Sequence, residues 1–383
     1  MADPRAASVP HQLVVIGGST VLRGADGRWR TKRVVALYLH ELARIYGGCT
    51  WLCVVKQDLP VSGVIDEKLV RVVPLSSSRL GVLSNWIRVL RAVPRGADVL
   101  GYASALLRLR PIVPIIRSRA RRMAVYLAGD YQQQIGAAGR VRAGLYRTGF
   151  EGPMRRADVV IARGRRLAEL ARTLNSTVVE TVPIANLDLE RANPDEDERS
   201  GVVLYVGKLL MSKGVGDLID AMAELQTREG GGLTLEIVGD GSDAGEFVKQ
   251  VRRLGLGDRV SFLGWIENPV DLAERIRRAE VVVVPSSSHP EGVPRIIDEA
   301  LVLARPVVAT KVGGVPEEFI SGEVVMVGPG RPLDLAAAVR RLVVDEKFRQ
   351  ATRLAGQQRA SRWTDEGSPA QQHARVLSGP APT

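Results

Sequence analysis

Residues 281–319 read VVVVPSSSHPEGVPRIIDEALVLARPVVATKVGGVPEEF and carry the clearest fold signal in the chain. Four consecutive valines, Val281 to Val284, predict a buried parallel strand, because both faces of such a strand are covered. After a Pro-Ser loop, apolar residues recur at helical spacing from Arg295 onward, and Pro294 stands at the expected first helical position. An Arg-Pro pair then breaks the helix, and a second short strand follows. The stretch therefore predicts a β-α-β unit of a parallel sheet.

Two carboxylates are placed in this unit where a ligand is expected. Glu291 lies in the loop after the first strand, and Glu299 lies eight positions later, on the second turn of the helix. In open parallel sheets, ligands bind beyond the carboxyl ends of the strands and against helix N-termini. A helix N-terminus favours an anion, whereas carboxylates accept hydrogen bonds from hydroxyl groups. The layout predicts a ligand that is both phosphorylated and rich in hydroxyls, such as a sugar nucleotide.

Length and composition limit the class of protein. A chain of 383 residues is too long for one compact core and suits two domains. Its apolar content of 45% and the absence of any apolar run near the ~20 residues that span a bilayer indicate a globular protein. The N-terminus lacks the basic start and apolar core of a signal peptide. Cys49 and Cys53, on one predicted strand, would be about 13 Å apart and beyond disulfide reach, which favours a cytoplasmic location.

The positive charge is concentrated in the first half of the chain. The net charge is +11, yet residues 1–190 hold 29 Lys and Arg against 14 Asp and Glu, a balance of +15, so the remainder carries −4. Such a half could face nucleic acid, an anionic membrane or a pyrophosphate-bearing substrate, or it could consist of solvated surface arginines. Aromatic residues make up 4% of the chain and no nucleic-acid-binding module is present, so nucleic acid is not expected as a partner.

The alternation of strands and helices predicts two α/β domains. Residues 1–182 are interpreted as the N-terminal domain, and the polar, acid-rich segment 183–200 as the linker. Residues 201–361 are interpreted as the C-terminal nucleotide-sugar-binding domain, and residues 362–383 as a tail that partly packs back on the first domain. Within the first domain, Leu13 to Ile16 is predicted as a strand that ends in Gly17-Gly18-Ser19, followed by a long polar loop over Arg23 to Lys32 and by a helix that contains His40 as a structural residue.

The first turn of the second domain carries two further charged residues. Lys208 follows the predicted strand Val202 to Val206, and Lys213 precedes Gly214 at the start of the next helix. Two ammonium groups at a strand end and a helix N-terminus suit a diphosphate. An isolated Lys-x4-Lys pair would equally suit solvated surface lysines, and the buried strand and the downstream pair of glutamates favour the diphosphate.

These residues together carry a family resemblance. The stretches LYVGKLLMSKGVGDLIDA (204–221), IVGDGSDAGEF (237–247), RVSFLGW (259–265) and the segment 285–319 resemble the nucleotide-binding domain of retaining glycosyltransferases of the family-4, or group 1, type. The similarity extends in register from residue 183 to about residue 345. It implies the GT-B fold, an α/β architecture with two Rossmann-like doubly wound domains that face each other across a cleft. Residues 1–182 would then bind the acceptor, and residues 201–361 the nucleotide sugar.

The resemblance also implies roles for individual residues. Lys208 and Lys213 would hold the diphosphate and stabilise the leaving nucleoside diphosphate as charge develops. Glu299 would accept hydrogen bonds from the ribose hydroxyls, and Glu291 would lie against the transferred sugar. Asp130, at the position where relatives often have a histidine, would replace its contact with the donor sugar, although it would equally suit a turn or a helix cap.

Backbone groups complete the implied donor site. The amides around Gly292, Val293 and Arg295 would reach sugar hydroxyls or phosphate oxygens, and the turn that contains Trp265 and Ile266 would line the base pocket. The resemblance implies no metal and no cofactor beyond the donor, a UDP- or GDP-linked sugar. It also implies front-face attack with retention of configuration.

The first domain departs from the family pattern. Relatives often have a Gly-Gly pair immediately before the first helix, where this chain has Arg30-Thr31-Lys32. Trp29 and Arg30 in the predicted loop could contact an acceptor, or be ordinary loop residues. His289, close to Glu291, is interpreted as incidental.

Three function classes remain open on the sequence. The first is a metal-independent retaining hexosyltransferase of polysaccharide or glycoconjugate biosynthesis, with a glycan or lipid-linked acceptor. Such an enzyme would be cytoplasmic and would contact an anionic membrane peripherally through its basic N-terminal domain. The second is a GT-B nucleotide-binding partner or regulatory protein without transferase activity, which the missing histidine suggests. The third, a sugar-nucleotide epimerase, is disfavoured because its acid/base residues cannot be placed.

Overall fold

The structure, a computed structural model, describes residues 11–56, 63–78, 81–129, 140–181, 201–226, 232–288, 292–365 and 367–379. These residues form two compact units. Unit 1 joins residues 11–181 to residues 367–379, and unit 2 comprises residues 201–365. The predicted linker, residues 183–200, lies outside the described residues. The chain thus supplies unit 1 from two separate segments, with unit 2 between them in sequence.

Unit 1 is built on nine described strands, most of them parallel. They are β1 (Leu13–Arg23), β2 (Trp29–Thr31), β3 (Cys49–Val55), β4 (Gly63–Val64), β5 (Val70–Leu75), β6 (Asp98–Tyr102), β7 (Arg122–Leu127), β8 (Val159–Arg163) and β9 (Val178–Thr181). The parallel order is β5-β3-β1-β6-β7-β8-β9, and β2 and β4 add a short antiparallel extension at the end of β1. This is the doubly wound arrangement that the alternating pattern predicts.

Helices cover both faces of the unit 1 sheet. The described helices are α1 (Arg33–Tyr46), α2 (Val82–Ala92), α3 (Ala103–Leu106), a 3-10 helix (Leu107–Ile112), α4 (Val113–Arg119), α5 (Arg140–Arg156), α6 (Arg165–Arg172) and α14 (Pro369–Ser378). One core lies between the sheet and the helical layer that runs from α2 to α6. A second core lies between the opposite face of the sheet and the helices α1 and α14.

The first strand is longer than predicted and continues through the Gly17-Gly18 pair. Both glycines have positive φ, and the register of β1 against β3 shifts between Ile16 and Thr20. A Cβ on Gly17 would lie 2.3 Å from Ala105, and one on Gly18 would lie 2.7 Å from the Tyr102 ring. The pair therefore forms a bulge where helix α3 approaches the backbone, and the prediction that it ends the strand was wrong.

The long polar loop predicted over residues 23–32 is a hairpin. The Gly24 amide donates a hydrogen bond of 2.9 Å to the Arg28 carbonyl, and β2 pairs with the end of β1. Arg30 donates two hydrogen bonds to the Asp26 carboxylate, at 2.6 and 2.7 Å, and Arg23 lies over the Trp29 ring. Trp29 and Arg30 are thus tied into a hairpin and do not lie on an open loop.

One histidine and two cysteines of unit 1 have the structural roles that the sequence predicts. His40 lies on α1, and its Nε2 accepts a hydrogen bond of 2.9 Å from the Asp66 backbone amide, which is a structural role. Cys49 and Cys53 both lie on β3 as free, buried thiols, and burial raises the pKa of Cys49 to about 12. Neither thiol is poised for redox chemistry at neutral pH.

The last described helix, α14, completes unit 1. Its buried face, with Ala370 and Leu377, packs in the same core as α1 and β7. His373 is fully buried, with Nδ1 2.6 Å from the Tyr38 hydroxyl and Nε2 3.3 Å from the Thr181 hydroxyl, and burial lowers its pKa to about 3. The preceding helix of unit 2 extends to Asp365, beyond the predicted domain end at residue 361.

Unit 2 contains a sheet of six described parallel strands, ordered β12-β11-β10-β13-β14-β15. They are β10 (Val202–Val206), β11 (Thr234–Val238), β12 (Val260–Gly264), β13 (Val281–Val284), β14 (Val307–Thr310) and β15 (Val325–Val327). This order places the topological switch point between β10 and β13, the first strands of the two halves. The four valines of β13 are fully covered, as predicted for a central parallel strand.

The valines of β13 alternate between the two helical layers of unit 2. Val281 and Val283 pack with α7 (Val215–Gln226), α8 (Ala244–Arg253) and α12 (Pro332–Val344). Val282 and Val284 pack on the other face with α9 (Pro269–Arg278), α10 (Arg295–Val302), α11 (Val315–Glu318) and α13 (Glu346–Asp365). No helix in the described ranges is long and apolar enough to cross a bilayer.

Candidate donor site

Hydrogen bonds and close backbone contacts join the loops that follow the unit 2 strands, at the carboxyl edge of the sheet. Gly207 follows β10, and its amide donates a hydrogen bond of 3.0 Å to the Val238 carbonyl at the end of β11. A Cβ on Gly239 would lie 1.8 Å from the Gly207 carbonyl oxygen, and one on Gly241 would lie 2.2 Å from the Leu209 oxygen. Only glycine permits this approach, so the turn Gly239-Asp240-Gly241 is locked beside the turn that carries Lys208.

A second junction ties the loop after β10 to the loop after β13. Gly214 has φ +67°, and a Cβ there would lie 1.8 Å from the Pro285 carbonyl oxygen. The Ser287 amide donates a hydrogen bond of 3.0 Å to the Ser212 carbonyl, and its hydroxyl donates one of 3.3 Å to the Met211 carbonyl. These contacts span the switch point of the sheet, which is where ligands bind in this architecture.

The two predicted lysines lie at this junction. Lys208, the second residue after β10, is exposed, and its carbonyl accepts a hydrogen bond of 2.8 Å from the Tyr205 hydroxyl. Lys213 is half-buried in the 3-10 helix Met211–Lys213, and Gly214 then turns the chain into α7. Asp243 accepts a hydrogen bond of 2.7 Å from the Met211 amide and so holds this short helix in place. Both ammonium-bearing side chains therefore start from a fixed backbone next to a helix N-terminus.

Glu299 lies on the second turn of α10 and is 4% exposed. The element that carries Glu299 follows β13, so the residue belongs to the same half of the sheet as the loop 285–288. A buried acceptor at this place suits a ligand with paired hydroxyl groups.

The residues before α10 lie at the same carboxyl edge of the sheet. Gly292 and Arg295 are exposed, whereas Val293 is half-buried, and a Cβ on Gly314 would lie 3.0 Å from the Val293 side chain. The loop after β14 therefore contacts the loop after β13. The helix begins at Arg295, with Pro294 in extended conformation at the N-cap, so the prediction of Pro294 as the first helical residue was wrong by one position.

The turn after β12 reaches the same edge from the far half of the sheet. The Gly264 carbonyl accepts a hydrogen bond of 2.8 Å from the Gly239 amide. Trp265 is largely exposed, and Ile266 is half-buried against the core of the α9 and α10 layer. The two predicted base-pocket residues are thus adjacent to the glycine turn after β11.

Three residues that sequence analysis singled out lie outside the described residues. They are Glu291, His289 and Asp130, so the predicted sugar contacts of Glu291 and Asp130 stay predictions. Within the described ranges, no cluster of three or more His, Cys, Asp or Glu side chains is arranged to hold a metal ion.

The structure also shows site residues that the sequence analysis did not assign. Gly239 and Gly241 make the closest backbone approaches to the Lys208 turn, and the signal for them was two glycines two residues apart directly after a buried strand. Thr310, at the end of β14, donates a hydrogen bond of 2.6 Å to the Ser286 carbonyl and ties the two loops of this half together.

A carboxylate also lies at the start of α7. Asp217 is in the first turn of this helix, after Lys213 and Gly214. Burial raises the pKa of Asp217, and the neighbouring Asp220 raises it further. Asp217 therefore adds a carboxylate to the first turn of the helix that follows Lys213.

The sequence of unit 2 matches a known protein family. Residues 188–359 match the family model described as glycosyl transferases group 1. An alpha-D-kanosaminyltransferase of Streptomyces kanamyceticus is 33% identical over 202 residues, 51% of this chain and 49% of that protein. The lipopolysaccharide core biosynthesis glycosyltransferase LpsE of Rhizobium meliloti is 33% identical over 169 residues, 44% of this chain and 46% of that protein. The matches thus span about half the length of these curated relatives.

The fold is shared with solved glycosyltransferase structures. HepE of Anabaena in complex with UDP superposes with a TM-score of 0.69 at 20% identity, covering 96% of this chain and 99% of that protein. Sucrose-phosphate synthase of Thermosynechococcus elongatus superposes with a TM-score of 0.65 at 19% identity, covering 96% and 98%. The predicted GT-B fold is confirmed, and residues 188–359 of this chain match the glycosyl transferases group 1 family.

Proposed function

We propose that this chain is a retaining, metal-independent hexosyltransferase that transfers a sugar from a UDP- or GDP-linked donor to a glycan or lipid-linked acceptor in polysaccharide or glycoconjugate biosynthesis. One observation carries the proposal: the Gly214 junction holds the Lys213 turn against the loop after β13 at the switch point of the unit 2 sheet. That junction gathers two lysines, two helix N-termini and the helix that bears Glu299 along one edge.

The proposed chemistry assigns the positive charges to the donor diphosphate. Cleavage of the sugar–phosphate bond leaves negative charge on the departing nucleoside diphosphate. Lys208 and Lys213, together with the N-terminus of α7, would stabilise that charge in the transition state more than in the ground state. A lysine at position 208 supplies a point charge without the planar fork of arginine, so it favours charge stabilisation over bidentate recognition.

The proposed orientation of the donor depends on Glu299 and the turns at the edge. Glu299 would accept hydrogen bonds from the ribose hydroxyls, and the amides around Gly292 and Val293 would contact the sugar or a phosphate oxygen. The turn with Trp265 and Ile266 would line the base pocket. In this arrangement the acceptor hydroxyl attacks from the face that the diphosphate leaves, which gives retention. Glu291 and Asp130 are proposed to contact the transferred sugar.

The test combines donor binding with turnover. Purified protein is incubated with UDP-, GDP-, ADP- and dTDP-sugars, and both the thermal shift and the released nucleoside diphosphate are measured. A donor at 100 times its dissociation constant should add about 2.7 kcal/mol to the free energy of unfolding. Stabilisation by one donor with slow release of its diphosphate supports the transferase. Binding without turnover, even with acceptors, supports the alternative of a nucleotide-binding partner, and no binding refutes both.

A matched pair of variants locates the donor. Glu299→Gln should abolish the stabilisation by donor. Glu280 is also 4% exposed and its carboxylate lies 3.5 Å from Arg349, but it directly precedes β13, at the opposite end of that strand. Glu280→Gln should lower the melting temperature without changing donor affinity. Equal loss of donor binding in both variants would contradict the assignment of Glu299.

The proposed location is the cytoplasmic face of a membrane, reached through peripheral contact with unit 1. The charge asymmetry between the halves of the chain supports this contact, because an anionic leaflet attracts basic surfaces within about a Debye length.

A further inference from the structure

Unit 1 contains a long segment in which positive charge is almost uncompensated. Residues 68–129 hold twelve Lys and Arg and one acidic residue, Asp98. Asp98 is fully buried and accepts two hydrogen bonds from Arg121, at 2.8 and 2.6 Å. The only carboxylate of the segment is therefore already paired. Arg117 also forms an ion pair, with Asp158 from outside the segment, and the remaining basic residues leave a net positive field on this part of unit 1.

Much of this charge lies on one helical layer. Helix α2 packs on the 3-10 helix Leu107–Ile112, and the indole N–H of Trp86 donates a hydrogen bond of 3.3 Å to the Arg108 carbonyl. The C-terminal turn of α2 is joined to α4 by a hydrogen bond from the Arg119 guanidinium to the Leu90 carbonyl. Together with α5 and α6 these helices cover the same face of the sheet, so their outer sides form a continuous surface.

Apolar side chains are exposed among these arginines. Leu83 is 67% exposed and Ile87 is 52% exposed, one helical turn apart on the outer side of α2. Arg88 and Arg91 are exposed on the same helix, and Arg108 and Arg110 are exposed on the adjoining 3-10 helix. We call these six residues, Leu83, Ile87, Arg88, Arg91, Arg108 and Arg110, the α2 surface.

The described residues form no ion pair with the four arginines of the α2 surface. In the described part of the chain, none of the four contacts a carboxylate, and the bonds of Arg88 and Arg110 are to the backbone carbonyls of Pro74 and Leu145. Their charges are thus available to an external anionic partner.

We infer that the α2 surface is a docking site for an anionic lipid bilayer. Exposed leucine and isoleucine on a short helix, flanked by arginines, are the features that place a helix in the membrane interface, with the apolar side chains below the headgroups and the cations among them. The inference names the surface for the membrane contact proposed above. It does not depend on donor binding or turnover.

Two other occupants fit less well. Single-stranded nucleic acid is held by exposed aromatic side chains as well as by charge, and the α2 surface has none, since Trp86 is half-buried and its N–H is bonded. A second copy of the chain would bring two like-charged surfaces together, which is unfavourable. Charge complementarity and the exposed apolar pair therefore favour lipid.

The test is sedimentation of the full chain with vesicles. Vesicles of phosphatidylcholine alone are compared with vesicles that also contain phosphatidylglycerol, at low and at high salt. The wild-type chain should bind the anionic vesicles at low salt, bind them more weakly at high salt, and bind the neutral vesicles least. Leu83→Ser/Ile87→Ser and Arg88→Gln/Arg91→Gln should each weaken binding to the anionic vesicles by on the order of tenfold.

The matched control is the double variant Leu333→Ser/Val344→Ser on α12 of unit 2. Leu333 and Val344 are 65% and 67% exposed, comparable with Leu83 and Ile87. Vesicle binding should be unchanged in this control, and all variants should keep the wild-type melting temperature because the altered side chains are exposed. Equal loss of binding in the control would overturn the assignment to the α2 surface.

Two further outcomes would overturn the inference. One is an absence of wild-type binding to anionic vesicles, and the other is binding of a short single-stranded RNA in place of vesicles. A chain that binds vesicles through the α2 surface but binds no sugar nucleotide would support this inference while refuting the proposed transferase, so the two failures are distinguishable.

Discussion

Substitution of Gly214 by alanine tests whether the junction between the β10 and β13 loops builds the donor site. Gly214 has φ +67°, and its Cβ would lie 1.8 Å from the Pro285 carbonyl oxygen. Ordinary van der Waals contact begins at 3.4 Å, so the two loops would have to separate by about 1.6 Å (3.4 − 1.8). Such a separation would break the hydrogen bond of 3.0 Å from the Ser287 amide to the Ser212 carbonyl.

The expected cost has three parts. A left-handed conformation costs alanine about 1–2 kcal/mol. The lost backbone hydrogen bond costs about 1 kcal/mol, and the remaining backbone displacement adds at least as much again. The Gly214→Ala substitution should therefore lower the free energy of unfolding by roughly 3–4 kcal/mol.

Gly255 provides the matched control. Its φ is +68°, but a Cβ there would meet nothing within 4 Å. Gly255→Ala should therefore cost only the conformational part, about 1–2 kcal/mol. Urea unfolding of both variants, with donor affinity measured in parallel, separates the contact with Pro285 from backbone strain. Gly214→Ala should also weaken donor binding at least about tenfold, because Lys213 and the loop 285–288 move apart, and Gly255→Ala should not. Equal losses of stability and unchanged donor affinity in both variants would refute the reasoning.

Three further predictions concern the stability of unit 1. Burial lowers the pKa of His373 to about 3, so as the pH falls below 6.5 this histidine is protonated in the unfolded chain before it is protonated in the folded chain. This group should therefore lower the free energy of unfolding by about 1.4 kcal/mol per pH unit between pH 6.5 and pH 3. In thermal melts of His373→Gln, the dependence of stability on pH over this range should be smaller by the equivalent of one proton. Leu377→Ala should cost about 2–5 kcal/mol in urea unfolding, whereas alanine at the exposed Leu354 should change stability by less than about 0.5 kcal/mol; similar values would contradict the packing of α14. Arg121→Gln should destabilise unit 1 more than Asp98→Asn does. The Arg121 variant leaves the Asp98 carboxylate, which is 0% exposed, without its main partner, whereas the Asp98 variant leaves the Arg121 guanidinium, which is 31% exposed. Thermal melts that show the reverse order would contradict this account of the ion pair.

Local sequence could predict those elements of the site in which neighbouring residues form the strand, the loop and the helix. The valines of β13 and the helical spacing from Arg295 place Glu299 on its helix, and Lys213-Gly214 stands at the start of α7, as the pattern indicates. In these elements, strand, loop and helix follow one another within about fifteen residues, so local periodicity contains the necessary information.

The part that could not be predicted depends on contacts between distant segments. The Gly17-Gly18 pair reads as a strand end, yet β1 continues because α3 packs against the two glycines from some 85 residues away in sequence. The hairpin over residues 24–28 is completed by β4, whose pairing with β2 no local pattern indicates. The bond between Tyr38 and His373 joins residues 335 positions apart, and a lone histidine in a Gln-rich tail carries no signal for it.

The position of α14 has a consequence for the order in which the chain can fold during synthesis. Domains generally fold as units, with the N-terminal one first as the chain leaves the ribosome. Here β1 to β9 and α1 are translated first, but the part of the sheet face that α14 covers stays open to water until residues 369–378 are made, after every described strand of unit 2. We expect unit 2 to reach its native state earlier, and the nascent unit 1 to expose the apolar surface around Tyr38 and Tyr126 for the whole of that interval. A chaperone that holds apolar surface would bind most strongly to nascent chains stalled before residue 369, and release of the last helix would end its access.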